Sequence, residues 1–101
     1  MENATANNWR VEIVEKGPIG TICYYEDSKV ASFEWEFGGG NAIAIIHGGS
    51  APEWSEKYPW AADRRLEILE RVGNEAIRQK AKTSTATLDE KSGIILLRSQ
   101  I

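Results

Sequence analysis

KVASFEWEFGGGNAIAIIH, Lys29 to His47, decides the fold class. In its first half Ala31, Phe33, Trp35 and Phe37 fall on one side, and Ser32, Glu34 and Glu36 on the other. That period of two is what a half-buried strand requires. Gly38-Gly39-Gly40-Asn41 then supplies the positive φ angles of a tight reversal, and Ala42 to His47 returns as a strand apolar on both faces. Such a strand belongs in the middle of a sheet, or has its outer face covered.

Toward the N-terminus the same period recurs. WRVEIVE, Trp9 to Glu15, alternates Trp9, Val11 and Ile13 against Arg10 and Glu12 and stops at Gly17-Pro18. IGTICYY, Ile19 to Tyr25, is β-branched and aromatic, with Asp27-Ser28 as the turn into the next strand. Met1 to Asn8 is polar and aperiodic and reads as a disordered tail, leaving 9–101 as a single domain.

Toward the C-terminus the period changes. Ser50-Ala51-Pro52-Glu53 has capping-box spacing, so a one-turn helix starts there, and Pro59 ends it while suiting the first turn of a second helix running to about Ala81. In that helix Ala62, Leu66, Leu69, Gly73, Ala76 and Ile77 form an apolar stripe, widened by Ile68 and Val72. Gly73 costs roughly 1 kcal/mol of helix propensity, which predicts a close approach to a bulky sheet residue such as Trp35, where a larger side chain clashes. Thr83 to Leu88 and Ile94 to Arg98 are two further strands around the turn DEKSG. The order β-β-β-β-α-β-β implies an α+β fold: an antiparallel meander of about six strands with one long amphipathic helix on one face.

Composition excludes several functions. With 101 residues, 42% hydrophobic and 27% charged, the chain has the make-up of a globular domain. The net charge of −3 speaks against nucleic acid, although the acids are unevenly spread: Met1 to Tyr58 carries nine acids and four bases, Pro59 to Ile101 six acids and eight bases. The longest apolar run, Ala42 to Ile46, is far short of the ~20 residues of a membrane span. The single Cys23 forms no internal disulfide, and with no secretory signal pattern a cytoplasmic location is expected.

The candidate site lies between the fourth strand and the long helix. His47, Trp54, Tyr58, Trp60 and Arg65 could line a small pocket there, with rings for stacking and a cation for an acidic ligand. The same aromatic groups serve equally as a lid over the open end of the core, and that reading is favoured in a domain this short of core. One histidine without HxH, HxxxH or CxxC spacing gives no metal site, and no cofactor fingerprint is present. Cys23 has no basic neighbour to activate it and reads as a buried thiol, and Ser50 and Ser55 lack a nucleophile elbow, so no catalytic residue is assigned. Arg64, Arg71 and Arg78, seven apart and interleaved with Glu67, Glu70 and Glu75, read as a solvated salt-bridged face. Arg65, at the edge of the apolar stripe, must find a carboxylate or a carbonyl. Two functions follow as expectations. The first is a non-catalytic interaction domain that forms a homodimer through the outer sheet face, with an unknown protein partner as a further possibility. The alternative is a small acidic-ligand-binding protein or weak hydrolase at the strand-helix seam.

Overall fold

A computed structural model describes residues 8–37 and 42–99. The N-terminal tail up to residue 7 and the Gly38–Asn41 reversal lie outside the described residues. The elements are β1 Trp9–Lys16, β2 Ile19–Glu26, β3 Lys29–Phe37, β4 Ala42–His47, α1 Ala51–Lys57, a 3-10 segment Pro59–Arg64, α2 Arg65–Lys80, β5 Ser84–Asp89 and β6 Ile94–Ser99. All six strands join one antiparallel sheet in the order β1-β2-β3-β4-β6-β5. The crossover through α2 carries the chain past β6 to the margin, and β6 then returns to lie beside β4. Strand four and the unbroken apolar run from Ile94 to Leu97 are therefore neighbours at the centre, where apolar residues on both faces are best accommodated.

Short turns fix the first hairpins. Gly17 (φ +68°) and Asp27 (φ +55°) take the left-handed backbone region that tight turns between twisted strands use. Asn8 is tied down as well, its carbonyl accepting from the Asp27 N–H at 3.0 Å. At the start of α1, Ser50 makes both halves of the capping box: its hydroxyl accepts from the Glu53 N–H, and its own N–H donates to the Glu53 carboxylate at 2.8 Å.

The long helix is shorter than its periodicity implied. Ala61 has non-helical dihedrals (φ −130°, ψ 27°), so Pro59–Arg64 forms a separate 3-10 segment and α2 starts at Arg65. The buried face of α2 comprises Arg65, Ile68, Leu69, Val72, Gly73 and Ala76, whereas Ala62 and Leu66, placed on the apolar stripe by periodicity, are exposed. The kink at Ala61 turns Ala62 off the stripe, whereas Leu66, inside α2, lies at the edge of its buried face.

α2 comes close to β1 and β2 at one margin of the sheet and to β5 and β6 at the other. It comes less close to β3 and β4 between those margins, so the sheet curls around α2. The concave face holds the core: Val11, Ile22, Tyr24, Phe33, Trp35, Ile46, Ile95 and Leu97 against Ile68, Leu69, Val72 and Ala76. Gly73 meets β5 and β6 instead of Trp35, since a Cβ there would stand 3.4 Å from Ile95 Cγ2 and 3.5 Å from Ala86 Cβ. The glycine that makes room for Trp35 is Gly20, directly across from it in the β2-β3 register. A Cβ on Gly20 would lie 2.2 Å from the Val14 carbonyl oxygen and 2.5 Å from the indole Nε1, which donates to that same carbonyl at 3.3 Å.

One methyl therefore fits at Gly73, and a clash begins only beyond the first carbon. Gly73→Ala is expected to raise stability by about 0.5–1 kcal/mol through helix propensity and unfolded-state entropy. A urea melt checks the sign: a loss of stability would show that α2 presses closer to β5 and β6 than these distances state.

Candidate functional site

The chain leaves β4 at His47, crosses Gly48-Gly49 and turns into α1, which lies over one end of the curled sheet. Trp54 is 1% exposed, its indole N–H donates to the Ala61 carbonyl at 2.8 Å, and its ring stacks on Phe33 (5.8 Å between centroids, 9° between planes). Tyr58 packs edge-on against Trp54 at 4.9 Å and Trp60 edge-on against Tyr58 at 6.4 Å. The Tyr58 hydroxyl reaches the edge of β3, accepting from the Ser32 N–H (3.2 Å) and donating to the Ser32 carbonyl (2.9 Å). β4 pairs with β3 only from Glu34 to Phe37, so this hydroxyl supplies at Ser32 the two bonds a neighbouring strand would make.

Arg65 is 9% exposed and donates to two backbone carbonyls. Its Nε and Nη2 donate to the Gly49 carbonyl at 3.1 and 2.9 Å, and Nη2 also donates to the Glu90 carbonyl at 2.7 Å. The guanidinium thus staples the β4-α1 loop to the β5-β6 turn. Glycine makes that approach possible: the Gly48 N–H donates to the Gly93 carbonyl at 2.9 Å, and a Cβ on Gly93 (φ +78°) would fall inside the Gly49 backbone.

His47 projects from the outer face of the sheet, its Nε2 2.7 Å from Glu36 Oε2 on the adjacent strand, with both side chains about half exposed. Of the five sequence candidates, His47, Trp54 and Tyr58 line one open cleft of about 590 Å³, together with Gly48, Gly49, Glu53, Lys57 and Ser92. Trp60 and Arg65 do not line it. The cation expected to meet an acidic ligand points instead into the loop junction, and Lys57 is the cation on the cleft wall. Among the described residues no three His, Cys, Asp or Glu side chains converge on a possible metal site.

Periodicity missed the most concentrated polar cluster in the molecule. Arg64 and Arg71, assigned by their spacing to a solvated face, turn toward the sheet, and only Arg78 of the three is well exposed. Arg64 grips Glu26 with two bonds, at 2.7 and 2.9 Å, and Arg71 lies 3.5 Å from the same carboxylate. The Tyr24 hydroxyl donates to Glu26 at 2.5 Å and accepts from Arg71 at 2.6 Å, while Arg71 also lies over the Trp9 ring at 4.8 Å. Hydrogen bonds from Arg64 hold the Glu26 carboxyl below its ordinary range against the opposing effect of burial. Burial, followed by the bond to Glu26, pushes the Tyr24 phenol up to about 12. Continuing the alternation of β2 by one residue past Tyr25 places Glu26 beside Ile22 and Tyr24, which is the signal that could have found it. Cys23, on the opposite face, is half-buried beside the Ser32 hydroxyl at 3.7 Å.

No protein-family model matches the chain, and no curated protein or solved structure is similar enough to count as a match.

Proposed function

We propose that this protein is an interaction module that pairs with a second copy of itself through the outer face of its sheet. The observation that carries this reading is what stands uncovered there. Among the described residues α1 and α2 occupy the concave face and one end, while Ile45, Ile94 and Leu96 of β4 and β6, all half-buried, lie side by side on the convex face, with Ile94 at the edge of the cleft beside α1. Val14, Ile19 and Val30 add exposed apolar surface across β1 to β3. A contiguous apolar strip inside a sheet is an association surface in proteins that remain in solution, and among the described residues no helix is long and apolar enough to cross a membrane. The curl makes this face convex, which centres the contact on the strip formed by β4 and β6.

Charge placement selects a second copy as the occupant. Arg98 marks one end of the strip, level with Ala42, and Glu34 and His47 mark the other, level with Ile94. A two-fold axis lying between the two faces and normal to the strands sets Arg98 of each copy over the Glu34 end of its mate. Such self-complementarity is what a closed dimer requires.

The test is the oligomeric state by light scattering across a concentration series. Leu96→Lys is expected to give a monomer with a thermal midpoint close to that of the parent dilute protein. Arg98→Glu is expected to weaken the dimer by about tenfold or more and Arg98→Glu with Glu34→Arg to restore it, an effect of ~1.4 kcal/mol or larger per contact set. A parent protein that stays monomeric at millimolar concentration refutes the reading.

A further inference from the structure

Among the described residues, only one of the two ends of the curled sheet is closed. At the N-terminal end of α2 the Trp54-Tyr58-Trp60 lid seals the core. At the C-terminal end a cavity of about 140 Å³ remains between Ala76 and Lys80 of α2, Ala81 just after it, and Ile13, Ile22, Trp35, Ala44, Ile46 and Leu97 of five strands. Its walls are almost wholly apolar. Phe37 stands at its rim, 57% exposed and edge-on to Trp35 at 5.3 Å. A space of about this size, lined mainly by aliphatic and aromatic groups, holds one benzene-sized apolar group. Open mouths of curled sheets are common ligand sites.

The polar side chains on the cavity wall are one acid and one base. Lys80 Nζ lies 2.8 Å from Glu15 Oε2, and the two side chains are 47% and 51% exposed. A solvent-exposed pair of this kind is worth little to the fold, so it opens at little cost. A singly charged ligand would pair with one of the two groups and leave the other unpaired beside a like charge. A zwitterion pairs with both.

We propose that this cavity binds a small zwitterion with one apolar group, of the class of a free hydrophobic α-amino acid. The branched or aromatic side chain fills the space between Trp35, Ala44 and Ala76. The ammonium group meets Glu15 and the carboxylate meets Lys80, so the ligand replaces one exposed ion pair by two and buries its apolar group in the same step. Neither the lid cleft nor the outer sheet face takes part, so the site stands independently of the dimer.

Calorimetric titration of the full chain at neutral pH tests the assignment with four probes of similar apolar size: L-leucine, 4-methylpentanoate without the ammonium, isopentylamine without the carboxylate, and isopentanol without charge. L-Leucine is expected to bind at least about tenfold tighter than any of the other three. Glu15→Gln and Lys80→Gln, both at half-exposed positions, are each expected to weaken L-leucine about fivefold or more and to leave isopentanol unchanged. Amide resonances of Ala76 to Ala81 should shift on binding while those of Gly48 to Tyr58 stay in place. Equal affinity for all four probes would reduce the cavity to an apolar hole and overturn the proposal, as would shifts confined to the lid or no binding of L-leucine at about 20 mM, an affinity too weak for any built site.

Discussion

Glu26→Ala is expected to remove about 3 kcal/mol of stability and to lower the thermal midpoint of this 101-residue chain by roughly 12–20 °C. Glu26 is 7% exposed and serves three donors at once, namely Arg64, Arg71 and the Tyr24 hydroxyl. Removing the carboxylate strands those donors, and breaking a buried pair typically costs ~3–5 kcal/mol because the remaining charge is left uncompensated. The lower end of that range applies here. Both arginines keep Glu67, at 2.9 Å from Arg64 and 3.0 Å from Arg71, and both are partly open to water.

The cluster also sets the acid limit of the fold. Glu26 and Glu67 both have pKa values lowered from an ordinary 4.5, each chiefly by hydrogen bonds from Arg64. A carboxyl lowered in the folded state favours folding at every pH above its unfolded value, and the contribution drains away as pH falls from about 4.5 through the lower folded value. The parent protein should therefore lose stability steeply below about pH 4.5, and Glu26→Ala should show a shallower decline over the same window. Urea midpoints between pH 3 and 7 measure both curves. Equal slopes would mean that acid unfolding is driven elsewhere, and a midpoint unchanged at pH 7 would mean that Arg64 and Arg71 are already served by water and Glu67.

The strands were legible because their information is local. Alternation in Ala31, Phe33 and Trp35 names the buried face of β3 without reference to any other part of the chain, and Ser50 and Glu53 announce α1 across three residues. The helix-sheet architecture follows from those periods alone. Three features were not legible, and each depends on residues far apart in sequence. Arg64 and Arg71 occupy positions that a lone helix would give to solvent, and their direction is set by Glu26, 38 and 45 residues earlier. Gly73 was matched to the largest aromatic on the sheet, yet helix placement over a curled sheet is decided by both margins, which brings Ile95 and Ala86 beneath it. At the candidate site, sequence proximity grouped His47, Trp54 and Tyr58, which line one cleft, and gave no warning that Arg65 would spend its donors on backbone carbonyls.

Among the described glycines Gly93 is the one that combines a positive φ with a backbone clash, and Gly93→Ala is expected to cost about 4 kcal/mol: ~1–2 for a side chain at positive φ and ~1–3 for overpacking. The added Cβ would fall inside the Gly49 carbonyl oxygen and 2.8 Å from both Gly49 C and Gly49 N. Those are backbone atoms, which cannot swing aside as a flexible side chain can. The β5-β6 turn would have to lift off the β4-α1 loop, taking with it the Gly48 N–H to Gly93 carbonyl bond and separating the two carbonyls that Arg65 holds together. A buried guanidinium would then lose part of its acceptor set, so the strain is not relieved by moving apart. Gly17→Ala supplies the control. Gly17 has nearly the same dihedral, φ +68°, but nothing lies within 4 Å of its Cβ position, so the change there carries the conformational cost alone, about 1 kcal/mol. The difference between the two variants in a denaturant melt, about 3 kcal/mol, isolates the loop-to-turn contact. Equal losses would show that the junction yields freely, and Arg65 would then be holding two loops that have no need to be held.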